Sequence, residues 1–102
     1  VTNMASMFNL ATFFDQDIGT WDITKIEDMT GMFNNSGMSP ENFSETMIGW
    51  GNNPNAPFFI PCGIEGMSLC SDNSEALEAM VIKLNAERGW QFSNAPNMVE
   101  CN

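Results

Sequence analysis

Histidine and tyrosine are absent from this chain, and bases are scarce. Three Lys and Arg stand against thirteen Asp and Glu, for a net charge of −10. So acidic a surface repels phosphate backbones and anionic lipid headgroups, which argues against nucleic acid and membrane surfaces as partners. Without His, the usual general base and the usual nitrogen ligand are both missing. No apolar run approaches the ~18 residues of a membrane span, and no signal peptide is visible. There is no initiator Met, and the chain opens inside its own repeat. The expectation is therefore a piece of a longer chain, without membrane insertion in this stretch.

Cysteine is nearly as sparse. Cys62, Cys70 and Cys101 do not form a Cys-x-x-Cys pair, so a zinc site is not expected. Cys62 and Cys70 flank a Gly-bearing segment that a bridge could close; alternatively Cys101 ties the C-terminus to one of them. Either bridge favours an extracellular or cell-surface location. The triplets Asn34-Asn35-Ser36 and Asn42-Phe43-Ser44 are glycosylation acceptors only in a eukaryotic secretory route.

What the chain does contain is a phrase used twice. Val1, Met4, Met7 and Phe8 return as Ile26, Met29, Met32 and Phe33, each at an offset of 25. A fixed period of this size marks stacked units, each burying its apolar face on the next. Between the copies, Ile18, Trp21, Ile23 and Ile26 have the beat of a short strand with Trp21 and Ile23 inward and Asp22 outward. The Met-rich phrase has helical spacing. One unit is then a short strand plus a short helix.

Ser39-Pro40-Glu41 opens a helix by side-chain cap, first-turn proline and acid at the positive dipole end. Phe43, Met47 and Trp50 form its apolar face, and Gly51 stops it. The spacing Phe14 to Trp21 recurs as Phe43 to Trp50, with Ile-Gly inside each. Pro57 to Pro61 is expected as an edge strand and Trp90-Gln91-Phe92 as a last strand. Between them a helix starts at Asp72 and Glu75, buries Leu77, Met80, Val81 and Leu84, and ends at Gly89. This gives an α/β fold in which residues 1–38 are solenoid repeats and residues 39–102 a capping region packed on them as one domain.

With these residues in place, the chain resembles the BspA-type bacterial surface-protein repeats. Their units read approximately V-T-x-M-x-x-M-F followed by F-N-x-D-I-x-x-W-D-V-S. Here they stand as Val1-Thr2-Asn3-Met4-Ala5-Ser6-Met7-Phe8 and Phe14-Asp15-Gln16-Asp17-Ile18-Gly19-Thr20-Trp21-Asp22-Ile23-Thr24. The resemblance is close over residues 1–33 and looser in the tail, where the cysteines depart from the pattern. It implies a leucine-rich-repeat-like solenoid on secreted or surface-attached proteins, serving adhesion or recognition, with no catalytic residues to carry over.

The candidate chemistry is correspondingly thin. Nine Met invite a copper(I) reading, but Met4, Met7, Met29 and Met32 hold repeat-core positions, where Met is an ordinary gap-filler. Asp15, Asp17, Asp22, Glu27 and Asp28 offer oxygen to Ca²⁺ on an acidic edge, yet no EF-hand loop or Gly-Gly-x-Gly-x-Asp repeat organises them. Solvated faces are the expectation, with no metal and no cofactor. No catalytic residue is assigned. Binding falls to the polar residues of the exposed strand face, Asp17, Thr20, Asp22 and Thr24, toward a host or neighbouring-cell protein or glycan. Trp21 is expected in the core rather than as a glycan platform. Upstream repeats of the parent chain are the other expected partner. The competing readings are a structural cap without ligand and a carboxylate-based glycan hydrolase.

Overall fold

The doubled phrase reappears in the backbone. The computed structural model describes residues 2–101, so the Val1–Ile26 pairing lies outside the described residues. Residues 2–10 and 26–35 run parallel. The N–H groups of Met4, Ser6, Phe8 and Leu10 donate to the carbonyls of Asp28, Thr30, Met32 and Asn34 at 2.8–2.9 Å. Within the first segment, Met7 N–H donates to Met4, Asn9 to Ser6 and Ala11 to Phe8. In the second, Met32 donates to Met29, Asn34 to Gly31 and Ser36 to Phe33. Every one of these turns recurs at the offset of 25. So do the left-handed residues, Ser6 (φ 58°) with Gly31 (φ 67°) and Leu10 (φ 61°) with Asn35 (φ 57°). Asn3 Oδ1 accepts from Ala5 N–H, and Asp28 Oδ1 from Thr30 N–H, which starts each rung on the same Asx turn.

Parallel backbone pairing continues beyond residue 38. Residues 60–65 form a third rung on the second. Met29 N–H donates to Pro61, Gly63 N–H back to Met29, Phe33 N–H to Gly63 and Asn35 N–H to Glu65. Gly63 lies against Gly31, where a Cβ would come within 2.3 Å of the Gly31 backbone, so only glycine fits. A fourth rung follows. Strand β1 (Pro61–Cys62) pairs in parallel with β3 (Gln91–Phe92), and β2 (Ser68–Cys70) with β4 (Asn97–Val99). The expected strand at 57–61 is therefore displaced. Phe58 and Phe59 are exposed, Phe59 in the left-handed region (φ 59°), and pairing begins at Pro61.

Two helices flank the rungs. Helix α1 (Pro40–Gly51) starts as expected: Ser39 Oγ accepts from Asn42 N–H, and Pro40 opens the first turn. It buries Phe43, Met47 and Trp50. Gly51 serves packing rather than termination, because a Cβ there would meet the Ala79 Cβ at 2.7 Å. The two Ile-Gly pairs also meet, with Gly49 seated on the Gly19 backbone. Helix α2 (Ser74–Leu77) is capped by Asn73 rather than Asp72 and continues as a π-helix over Glu78–Ala86. The i→i+5 bonding, as in Glu87 N–H to Ile82 carbonyl at 2.8 Å, turns each residue through a smaller angle than an α-helix does. Ala76, Met80 and Leu84, four apart, stay on the buried face. Val81, expected inside, swings out to 55% exposure.

A file of aromatic rings follows the stack through the core. Centroids are 6.0 Å apart for Phe8–Phe33, 5.9 Å for Phe33–Trp50, 6.0 Å for Trp50–Trp90 and 6.1 Å for Trp90–Phe92. Each such pair adds about 0.5–1.5 kcal/mol beyond the area it buries. The buried indoles are satisfied: Trp50 Nε1–H donates to the Ile18 carbonyl (3.1 Å) and Trp90 Nε1–H to the Pro57 carbonyl (2.8 Å). Cys70 and Cys101 form a disulfide with Cα atoms 5.5 Å apart, tying β2 to the C-terminal segment. Cys62 is the free, buried thiol, which settles the pairing that the sequence leaves open.

Candidate functional site: the open edge of the stack

The expected binding residues Asp17, Thr20, Asp22 and Thr24 do not share a strand face, because residues 17–24 form turns and irregular backbone. Asp17 Oδ1 accepts from Gly19 N–H at 2.9 Å. Asp22 Oδ1 accepts from both Thr24 N–H (3.0 Å) and Thr24 Oγ1–H (2.6 Å). Two acids are thus spent on folding their own loop. Thr20 is exposed without such a bond, and Thr24 is half-buried.

Asp15 and Asp28 behave alike. Asp15 Oδ1 accepts from Ser39 N–H (2.7 Å) and Asn42 Nδ2–H (2.9 Å), joining the first unit to the start of α1. The Ser39 backbone bond, then the Asn42 amide, holds the Asp15 carboxyl below its ordinary range. The Thr24 hydroxyl and backbone do the same for Asp22, and Thr30 for Asp28. Among the described residues, the one trio of metal-ligating side chains drawn together is Cys70, Asp72 and Cys101. Its two sulfurs are bonded to each other. Burial pushes the Cys62 thiol up to about 12, so it is no nucleophile at neutral pH.

A second region with exposed apolar side chains lies elsewhere, on the outer side of the first rung. The Asp28, Thr30, Met32 and Asn34 carbonyls accept from the rung before them. Their repeat equivalents Asn3, Ala5, Met7 and Asn9 accept no hydrogen bond among the described residues. The side chains there are correspondingly exposed. Phe33 and Trp50 are fully buried, whereas their counterparts Phe8 and Trp21 are half-buried and 41% exposed. Phe8 and Trp21 keep the same pairing, 6.0 Å between centroids, with the outer side uncovered. Trp50 Nε1–H bonds to the preceding unit, and Trp21 Nε1–H has no acceptor among the described residues. Met7 and Leu10 are exposed, and Phe13 is fully so. A cleft of about 310 Å³ opens here between Met4, Met7, Trp21, Asp22 and Ile26.

Trp21, expected in the core, lies at this edge with 41% of its surface exposed. The physical reason is that packing reaches its ring from one side, through Phe8, and leaves the other side to solvent. The exposure of Leu10 and Phe13 had no sequence signal beyond the alignment of Leu10 with Asn35.

Among the described residues no helix is long and apolar enough to cross a membrane. No curated protein and no solved structure matches the chain. The family described as "Mycoplasma protein of unknown function, DUF285" matches residues 1–54, just over half of the sequence, and the chain belongs to that family.

Proposed function

We propose that this DUF285 member is a non-catalytic recognition module of a surface-attached or secreted protein, forming the closed end of a leucine-rich-repeat-like stack. The observation that carries this reading is the inequality of its two ends. Residues 2–10 leave carbonyls and apolar side chains uncovered in repeat positions, whereas residues 39–101 lay two helices, two further rungs and a disulfide against the other side. The similarity of residues 1–33 to BspA-type surface repeats and the disulfide both favour an extracellular setting. Absence of His, a sealed thiol and acids engaged by their own loops favour binding over catalysis.

The partner under this reading is a host or neighbouring-cell protein or glycan, met by the exposed loop that carries Asp17, Thr20 and Asp22. The test is a screen of the chain against matrix proteins and glycans. A hit should be lost in the combined variant Asp17→Asn, Thr20→Ala, Asp22→Asn, in which Asn retains the Asx turns. A hit that survives this variant removes the loop from the proposal. The self-directed bonds of Asp17 and Asp22 favour a second reading, a cap with no ligand. That reading holds if nothing binds while a longer array loses solubility on removal of residues 39–102. Glycan turnover that disappears when an acid is neutralised would replace both with a hydrolase.

A further inference from the structure

Resting on the reading of a recognition module, we propose that the exposed Phe58–Phe59 pair and the cleft beside it bind a neutral saccharide. The two rings stand in solvent at 58% and 74% exposure, 6.3 Å apart between centroids and tilted by 45°. Large apolar side chains exposed side by side mark an interaction surface when the backbone holds them there.

Here the backbone does so. Arg88 donates through Nη1 to the Ala56 carbonyl and through Nη2 to the Pro54 carbonyl (3.1 Å). The Trp90 indole donates to the Pro57 carbonyl, and Phe59 N–H to the Arg88 carbonyl, both at 2.8 Å. Asn55 N–H and Ala56 N–H both return to Asn53. The loop is pinned along its length, and each ring is backed as well. The Arg88 guanidinium lies 5.1 Å over the Phe58 ring. Phe59 rests on Gly89, where a Cβ would come within 2.6 Å of the ring. To reach this seat Phe59 takes φ 59°, a conformation that strains a bulky residue. Burial by itself would turn such rings inward. The molecule instead commits backbone strain and one of its three bases to holding them out.

Chemistry selects the ligand. Phe58 lines a cleft of about 510 Å³ together with Thr2, Thr24, Lys25 and Glu27, above the buried Ile26 and Ile60. The site therefore offers an aromatic face beside hydroxyls, an ammonium and a carboxylate. A pyranose ring has the matching surfaces, C–H groups on one face for the electron-rich ring and hydroxyls at its rim. Charge narrows the choice. Lys25 and Arg88, two of the three bases, gather here and disfavour a basic partner. Glu27 and the net charge of −10 disfavour an anion. An uncharged polyhydroxyl ligand meets neither objection.

The experiment titrates the full chain with lactose, maltotetraose, cellotetraose and N-acetylchitotetraose, following backbone and aromatic-ring resonances by NMR. At least one sugar should move Lys25, Glu27, Phe58 and Phe59 together. The double variant Phe58→Ser, Phe59→Gly, in which glycine suits the positive φ, should weaken binding at least about tenfold. Its fold is checked by slow exchange of the Trp50 and Trp90 indoles. The combined loop variant Asp17→Asn, Thr20→Ala, Asp22→Asn should leave sugar binding unchanged. Resonances that move with none of these sugars, or binding that survives the double variant, would overturn the inference. So would a protein or a phosphatidylcholine vesicle that engages the two rings when no sugar does. Each of these failures leaves the ligand screen of the 17–22 loop standing, so this inference and that reading fail separately.

Discussion

The first and second rungs share a backbone and differ in fate. Ser6 and Gly31, Leu10 and Asn35, Asn3 and Asp28 take the same conformations and make the same local bonds. Phe33 and Trp50 are fully buried, whereas Phe8 and Trp21 show an outer face to solvent. Local sequence therefore sets the shape of a rung, and its place in the stack sets what is core. Stability should be distributed the same way.

The sharpest break of this comparison is to truncate both partners of one repeat position. Phe33→Ala should cost about 3–5 kcal/mol in urea denaturation, the usual range for a buried Phe. Phe8→Ala should cost well under that, and Phe13→Ala, at a fully exposed position, no more than about 0.5 kcal/mol. Equal losses for Phe8 and Phe33 would mean that the outer rung is as buried as the inner. At the closed end, Cys101→Ser releases a closure spanning 31 residues and should cost about 3–4 kcal/mol in the same assay. An unchanged midpoint would remove the disulfide from the closing of the stack.

Smaller effects follow the left-handed pair. Gly31→Ala introduces a Cβ at φ 67° and should lose about 1–2 kcal/mol. Ser6→Gly at the equivalent site should be neutral or slightly stabilising. Reversed signs would show that the two positions are not conformational equivalents. Smallest and most diffuse is the acid response. Asp15, Asp22 and Asp28 have carboxyls lowered from 3.8 by bonds from Ser39, Thr24 and Thr30. A depressed folded value contributes stability that is present above the unfolded value and is lost as pH falls below it. Unfolding free energy should thus hold through neutral pH and decline below about 3.8. Asp28→Asn, which keeps the Asx turn, should blunt that decline slightly. A decline that begins well above pH 4 would assign acid sensitivity to other groups.

Much of this fold was legible in the sequence, and the exceptions have causes. The phrase at offset 25 is real in the φ angles and in the hydrogen bonds, and Ser39-Pro40-Glu41 opens α1 as its caps dictate. The expected roles within the repeat are shifted, however. The Met-Phe phrase carries the ladder, and residues 17–24 are irregular. Its i, i+3, i+4 spacing arises from consecutive turns, which imitate helical periodicity over so short a span. The third rung was hidden because Pro61 to Glu65 omits a turn and keeps only backbone register with residues 29–35. Val81 was misplaced because side-chain spacing does not distinguish α from π bonding. Trp21 departs from expectation because its repeat position secures the contact with Phe8 but no cover on the other side of the ring.

Trp21 also gives the most direct test. The three indole N–H groups can be followed by hydrogen exchange in NMR spectra of the intact chain. Those of Trp50 and Trp90, bonded to the Ile18 and Pro57 carbonyls in the core, should exchange slowly, and that of Trp21 fast. Three slow indoles would contradict the open edge and return Trp21 to the core.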